Sequence, residues 1–449
     1  MKLCFIGTGY VGLVSGTCFS DLGHTVVCVD QDATKVDQLN AGQVPFYEPG
    51  LAEKVGRNHQ AGRLSFTTDI DTAITKSDVV FSAVGTPPKA DGSTDLTAVW
   101  SVVDTISRVV SEQKLSQKVY VTKSTVPVGT GQQIINRFAE QGLTSDQIAV
   151  VSNPEFLREG TAVHDFFHPD RVVLGSESEF ALRVMTSLYD SLYRNKIAVM
   201  TTSLVTAELS KYAANSFLAT KISFINEMAR LCEAVGADVQ EIAQIMGKDG
   251  RIGPYFLHSG PGYGGSCFPK DTKSVIHTAK ANGCELQVVE AVERVNHKQK
   301  QLPFLRLKEQ LISLTGKTVA ILGVSFKPNT DDIRESATID LVNACLADNM
   351  TVRIFDPEAM DNACQVWGDT LYYATDSYDA AQGADAVVIM TEWNMFRDLD
   401  LVKLKTAMRG SVFLDFRNLY SITELEAAGF DGYVLGRVGV TTISTPITK

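Results

Sequence analysis

The sequence has no excess of positive charge. Its 41 Lys and Arg stand against 52 Asp and Glu, a formal net charge of −11. An acidic surface of this kind does not attract a phosphate backbone, so nucleic acid is not expected as the main partner. A local basic pocket for one small anion remains compatible with it. None of the eight cysteines (Cys4, Cys18, Cys28, Cys232, Cys267, Cys284, Cys345 and Cys364) belongs to a C-x-x-C pair, so no metal site is expected. There is no run of about 18 apolar residues, and hence no expected membrane span. The N-terminal apolar run breaks at Gly7, too soon for the core of a signal peptide. Short repeats and low-complexity tracts are absent as well. These absences predict a cytoplasmic protein with reduced thiols.

What is present is ordinary globular composition, 44% hydrophobic and 21% charged over 449 residues. That excludes a disordered chain and a small stapled scaffold, and at roughly 150 residues per domain it suggests about three domains. Short β-rich runs at Lys2–Ile6, Thr25–Val29, Val79–Val84, Val119–Thr122, Ile148–Ser152 and Arg171–Leu174 alternate with amphipathic stretches such as Leu96–Val110 and Gly131–Gln141. Such alternation predicts a parallel sheet covered by helices on both faces. From Ser203 to Ala237 there is no proline and one glycine, Gly236, while apolar residues recur at helical spacing. One long helix is expected there, with more helix at Asp238–Met246 and Asp271–Leu311. Strands return at Thr318–Leu322, Thr351–Phe355, Ala386–Met390 and Ser411–Leu414. The expected fold is therefore α/β, with two doubly wound domains joined by a long central helix and a helical region. The boundaries fall at 1–200, 201–312 and 313–449.

Gly7-Thr8-Gly9-Tyr10-Val11-Gly12 fits G-x-G-x-x-G. The hexapeptide alone is a weak signal, but here it follows a strand and opens a helix. Gly7 permits the tight turn, Gly9 lets backbone approach a pyrophosphate, and Gly12 lets helix and strand pack closely. The second strand ends at Asp30, whose carboxylate can accept from ribose hydroxyls and repel a 2′-phosphate. No arginine follows directly and Lys35 is the nearest cation, so NAD is expected over NADP. The alternative is a glycine turn that binds nothing.

The densest chemistry lies at Gly262–Asp271, which reads GYGGSCFPKD. Cys267 sits in a glycine-rich loop just before a helix expected near Asp271. Helix N-termini and cations such as Lys270 activate thiols. The other seven cysteines are expected in the core. A dinucleotide fold needs only a base to oxidise an alcohol. A thiol adds a second oxidation, through a thiohemiacetal and a thioester that water hydrolyses. The pairing points to a four-electron alcohol-to-acid oxidation. None of the 13 tyrosines has a lysine four residues later, which removes the Tyr-x-x-x-Lys dyad of short-chain dehydrogenases.

These motifs, in this order, resemble the UDP-glucose 6-dehydrogenases of the UDP-glucose/GDP-mannose dehydrogenase family. The match runs through Gly7–Gly12, Lys123–Pro127 (KSTVP), Asn153–Leu157 (NPEFL) with Glu159-Gly160, and Glu208–Asn215 (ELSKYAAN). It continues through Arg251–Gly253, Gly264–Asp271, Ser325–Pro328 and Arg334–Ser336. The resemblance implies the reaction UDP-glucose + 2 NAD + water → UDP-glucuronate + 2 NADH. It also implies two Rossmann-like domains and a homodimer or higher homo-oligomer built on the long helix. A sister reaction on GDP-mannose or a UDP-N-acetylhexosamine is the nearest rival. A non-catalytic NAD-binding sensor is the rival from another class.

The resemblance also assigns roles. Cys267 is the implied nucleophile and Asp271, one helical turn on, the implied base through water. Lys211 and Asn215, also a turn apart, are implied for the oxyanion at C6, and Thr125 and Glu155 for the hydrolytic water. From the residues alone, Lys211 also reads as a solvated helix lysine, and Glu155 and Glu159 as loop or capping acids. Implied NAD contacts are Gly7, Gly9, Tyr10, Val11, Gly12, Asp30, Lys35, Thr86, Thr125, Glu159, Lys270 and Arg334. Implied sugar-nucleotide contacts are Glu155, Phe156, Leu157, Arg158, Glu159 and Lys211, then Phe256, Leu257, His258, Ser259, Gly260 and Gly264. Lys327 is implied for the diphosphate, and Arg251 for the neighbouring subunit's substrate. The second α/β domain lacks G-x-G-x-x-G, so no second dinucleotide site is expected. One departure stands out. The family often has Asp-Gly-Arg-Asn where this chain reads Asp415-Phe416-Arg417-Asn418. Phenylalanine excludes any geometry needing glycine at positive φ, so the loop carrying Arg417 is expected to be repositioned.

Overall fold

The computed structural model describes residues 1–115, 117–193 and 197–438. Two compact units form: Met1–Ala214 with Lys273–Cys284, and Asn215–Thr272 with the chain from Glu285 onward. The last residues of the expected 313–449 domain, 439–449, lie outside the described residues.

The first unit is built on eight strands: β1 (Lys2–Ile6), β2 (Thr25–Val29), β3 (Leu64–Thr67), β4 (Val79–Ser82), β5 (Lys118–Thr122), β6 (Ile148–Ser152), β7 (Arg171–Gly175) and β8 (Ala198–Thr202). They lie in the order β3-β2-β1-β4-β5-β6-β7-β8. Every neighbouring pair is parallel except β6 and β7, which meet antiparallel at the single pair Ser152–Gly175. The wholly parallel sheet expected from strand–helix alternation is thus corrected at that junction. Period-two burial explains the doubly wound form. Leu3 and Phe5 enter the core on one face, while Cys4 and Ile6 enter the core on the other. Phe5 stacks on Phe81 at 4.3 Å, and full burial of one such side chain contributes about 1.5–3 kcal/mol.

The second unit repeats the plan with six parallel strands: β9 (Thr318–Leu322), β10 (Thr351–Phe355), β11 (Tyr372–Tyr373), β12 (Ala386–Ile389), β13 (Val412–Asp415) and β14 (Asp431–Val434). Their order is β11-β10-β9-β12-β13-β14. Val319 and Ile321 face one core, Ala320 and Leu322 the other. Both sheets reverse strand order beside their first strand, between β1 and β4 and between β9 and β12. Ligands of open α/β sheets bind at the carboxyl ends of such a switch.

The long helix spans Leu204–Val235 and stops at Gly236, which adopts φ 80° while its N–H donates to the Cys232 carbonyl. The helical stretch expected over Asp271–Leu311 is divided into two helices, Phe268–Ala281 and Gln287–Leu311. Gly283, at φ 70°, breaks it. A glycine that helical periodicity tolerates here turns the chain. The expectation of seven core cysteines is also corrected. Cys4, Cys18, Cys28, Cys232 and Cys345 are buried, but Cys284 and Cys364 are exposed. Cys284 sits in the helix break, and Cys364 lies in the short helix Met360–Trp367, which buries Ala363 and Trp367 instead.

Candidate functional site

In the first unit the glycine turn follows β1. Gly7, at φ 101°, packs so closely on β4's end that an added Cβ would lie 2.7 Å from the Ala83 carbonyl oxygen. A Cβ on Gly12 would run into the Gly7 carbonyl, yet one on Gly9 would meet nothing within 4 Å. Two glycines are therefore needed for packing, and the third leaves open space over the helix Tyr10–Asp21, where free N–H groups suit a phosphate. Tyr10 lies against Phe46 with the rings tilted, centroids 4.1 Å apart, and Val11 is partly buried. Asp30 closes the turn, its Oδ2 accepting from the Thr8 N–H (3.0 Å) and hydroxyl (2.6 Å), with Lys35 Nζ 3.7 Å away. Burial pushes its carboxyl up, but the Thr8 bonds, the Asp32 N–H and Lys35 outweigh that and hold it below the usual carboxylate range. These residues fit a dinucleotide.

Beside the turn, the Thr86 hydroxyl donates to the Thr125 carbonyl at 2.9 Å. Lys211 is buried and donates to Glu155 Oε1 at 2.9 Å, which overturns the solvated-lysine alternative. Glu155 also accepts from the Leu157 N–H at 2.6 Å. Burial pushes the Glu155 carboxyl up, but the charge and hydrogen bond of Lys211, the Leu157 N–H and Lys123 bring it below the usual range. Phe156 lies under the Arg171 guanidinium, 3.5 Å from the ring centroid. Arg158 is exposed and pairs with Asp165, and Glu159 is half-buried on the same turn. A cavity of about 10 Å³, the size of one water, is lined by Thr125, Lys211, Glu208, Ser152 and Pro154 among others.

In the second unit, Cys267 is half-buried at the start of the helix Phe268–Ala281. The helix begins three residues earlier than expected, so the Asp271 N–H donates to the Cys267 carbonyl at 2.8 Å. The Asp271 carboxylate is buried. It accepts from Asn215 Nδ2 at 2.6 Å and from Lys270 Nζ at 2.7 Å, so Lys270 is a partner of the acid.

The thiol loop is pinned from several sides. A Cβ on Gly264 would strike the Glu335 carbonyl, and one on Gly265 would lie 2.7 Å from the Phe326 ring. The Gly265 N–H donates to the Arg334 carbonyl at 2.8 Å. Asn296 takes both the N–H and the carbonyl of Tyr263, and Asn226 and Gln299 take those of Gly260. Phe256 holds φ 65°, a conformation that bulky residues rarely adopt, with Leu257 and Ser259 buried behind it and His258 exposed.

Lys327 Nζ lies 5.4 Å from the Phe326 ring centroid. Arg334 is held by Asp332, which accepts from its Nε, its Nη2 and its backbone N–H, and Arg251 is exposed and paired with Asp249. Phe416 is fully buried, and the positive φ falls on Asn418 at 55° instead. Arg417 then donates to the carbonyls of Met390 and Phe326, and a Cβ on Gly260 would lie 3.0 Å from its guanidinium. Arg417, Gly260 and the residue before Lys327 thus share one corner of this unit. Sequence reasoning missed Glu208, whose carboxylate takes the N–H groups of Gly129 and Gly131, and Asn296, Gln299 and Lys300. Glu208 was visible only as the first residue of the ELSKYAAN stretch, and Asn296, Gln299 and Lys300 only as polar residues spaced as one helix face. Among the described residues no cluster of His, Cys, Asp or Glu could hold a metal, and no helix is long and apolar enough to cross a membrane.

Three family models match the chain in order. They are the NAD binding domain, the central domain and the UDP binding domain of the UDP-glucose/GDP-mannose dehydrogenases, over residues 1–193, 205–298 and 320–422. A UDP-glucose 6-dehydrogenase of Rhizobium meliloti (strain 1021) is 47% identical over 445 residues, covering 97% of this chain and 100% of the relative. UDP-glucose 6-dehydrogenase TuaD of Bacillus subtilis (strain 168) is 44% identical, covering 98% and 94%. The solved UDP-glucose dehydrogenase of the hyperthermophilic archaeon Pyrobaculum islandicum matches with a TM-score of 0.88 at 38% identity. That match covers 94% of this chain and 95% of the other.

Proposed function

The chain belongs to the UDP-glucose/GDP-mannose dehydrogenase family, and on that basis we propose that it oxidises UDP-glucose to UDP-glucuronate. The observation that carries the chemistry is a half-buried thiol, Cys267, whose helix holds a buried carboxylate, Asp271, one turn on. The substrate rests on relatives of that name matching from end to end.

NAD, when bound, supplies the hydride acceptor for both oxidations. Gly7, Gly9, Gly12 and Asp30 would hold it, helped by Lys35, Thr86, Glu159 and Arg334. Asp271 takes the C6 hydroxyl proton through water. The Cys267 sulfur adds to the C6 aldehyde to give a thiohemiacetal, and the second oxidation leaves a thioester. Water adds to the thioester carbonyl, the C–S bond breaks, and the thiol returns as the carboxylate leaves. The oxyanion formed at each addition needs donors that are in place before reaction. Asn215 and Lys211 are assigned that task. Glu155 orients Lys211, and Thr125 holds the hydrolytic water. Lys327 and Arg417 take the diphosphate.

The division into 1–200 for NAD, 201–312 for the thiol and assembly, and 313–449 for the UDP-sugar belongs to the same reading. So does a homodimer. Phe217, Phe224 and Leu231 recur every seven residues on the long helix and are 65%, 43% and 52% exposed, a stripe suited to a second copy. The test is a count of NADH formed per nucleotide sugar consumed. Two per UDP-glucose are expected. One per sugar would end the thioester route, and turnover confined to GDP-mannose or a UDP-N-acetylhexosamine would reassign the substrate.

A further inference from the structure

The steps above make no use of Lys123, a buried lysine of the first unit. It is the first residue past β5, two before Thr125. Its Nζ donates to Asn153 Oδ1 at 3.1 Å and lies 3.5 Å from the Tyr189 hydroxyl, which donates to the same Oδ1 at 2.6 Å. Asn153 in turn donates to the Val173 carbonyl at 2.9 Å. The ammonium is therefore bonded to neutral oxygens alone. Its anion is Glu155, two residues beyond Asn153, and that carboxylate is already paired with Lys211.

The titratable groups around Lys123 come from three further elements. Glu155 stands on the turn after β6, Tyr189 at the end of the helix Glu179–Leu188, and Lys211 on the long helix. Arg171, at the start of β7, lies over the next ring of the turn, Phe156. Two buried ammonium groups thus share one buried carboxylate.

We propose that Lys123 is a positioning residue for the Lys211–Glu155 pair: its ammonium holds the Asn153 turn that carries Glu155, and it supplies a second positive charge that competes with Lys211 for the Glu155 carboxylate. The inference rests on the reading that Lys211 works as an ammonium at the substrate. Burial pushes the Lys123 ammonium down to about 8, against the pull of Glu155 and helped by Lys211.

A cation removed from a buried cluster raises the pKa of every neighbour, acid or base. In kcat profiles of Lys123→Met, the acid limb, where Lys123 is still charged, should move to higher pH by about one unit. Lys123→Gln keeps a donor for Asn153 without the charge and should move the acid limb equally, so it carries the test should the Met variant not fold. Tyr189→Phe keeps the charge and should leave the limbs in place. In the wild-type enzyme, NMR with ¹³Cε-lysine should show one signal with a midpoint near 8, missing from Lys123→Gln. A fall in kcat with an unmoved acid limb, or the absence of that signal, would overturn the proposal. Failure of wild-type enzyme to oxidise UDP-glucose would overturn the substrate reading instead, and the lysine signal would still judge Lys123.

Discussion

Removing one charge from the Glu155–Lys211 pair should cost far more than removing both. The two side chains are 5% and 4% exposed, 2.9 Å apart, and Glu155 has the Leu157 N–H on its other oxygen. Breaking a buried pair from one side leaves the other charge uncompensated, at about 3–5 kcal/mol. In Glu155→Gln the amide oxygen still accepts from Lys211, so the lower end of that range is expected. Lys211→Met strands a carboxylate with one N–H and the field of Lys123. The double variant strands neither member of the pair and leaves only Lys123 without its carboxylate, so its cost should fall short of the sum by about 2 kcal/mol. Urea unfolding at neutral pH measures the cycle, and in heat each single variant should lose roughly 6–20 °C in the transition of the first unit.

Acid supplies a second check. The native Glu155 carboxyl is depressed below its ordinary 4.5. The unfolded chain therefore takes up its proton first as pH falls. The pair's contribution is fully present above about 4.5 and disappears as pH drops through the native value, so the gap between wild type and Lys211→Met should close in acid. Single costs under about 1 kcal/mol that add within about 0.5 kcal/mol would refute the buried pair, and with it the idea that Glu155 orients Lys211.

Cys267→Ser should keep binding of NAD and UDP-glucose yet lose acid production by orders of magnitude, because an alkoxide leaves poorly. Mass spectrometry should find aldehyde-level or ester adducts, and near wild-type turnover would acquit the thiol. Asp30→Ala should weaken NAD about 10–150-fold, the worth of a charged hydrogen bond of roughly 1.5–3 kcal/mol, and narrow the preference over NADP. Unchanged preference in steady-state kinetics would remove Asp30 from the site. Gly9→Ala should lose NAD affinity with its melting temperature intact, since its Cβ meets nothing, whereas Gly12→Ala should lose stability as well. Calorimetric titration and thermal melts separate the two, and equal melting losses would contradict the open space over Gly9.

What the sequence revealed was local. The long helix was readable because nothing between Ser203 and Val235 could break it, and the Cys267–Asp271 spacing is one helical turn whichever residue opens the helix. The misses have physical causes. β3, β8, β11 and β14 went unread: β11 has two residues, and the other three are partly exposed and lack the continuous apolar run that marked the four-residue β4, β12 and β13. Gly283 looked tolerable in a helix and instead turned the chain. Partners of buried polar groups were beyond reach, because tertiary packing brings them together. Glu208 meets Gly131 across 77 residues, Lys123 meets Asn153 across 30, and Asn296 meets Tyr263 across 33.

The two turn aspartates show why a shared frame does not give a shared site. Asp30 follows β2 and Asp356 follows β10, and each accepts from the residue after its turn glycine, Thr8 or Val324. Gly7 packs against the end of β4 as Gly323 packs against the end of β12. The difference lies in what else each carboxylate must satisfy. The Asp30 side chain stays 13% exposed, with the space above Gly9 open. Asp356 is 1% exposed, and its Oδ2 also accepts from the N–H and hydroxyl of Ser325 and from the Trp393 indole. Its Oδ1 takes the N–H groups of Glu358 and Ala359. A carboxylate so fully engaged has no lone pair left for a ribose. The second turn is therefore committed to holding its own loop, and that loop continues directly into Phe326 and Lys327, beside the guanidinium of Arg417.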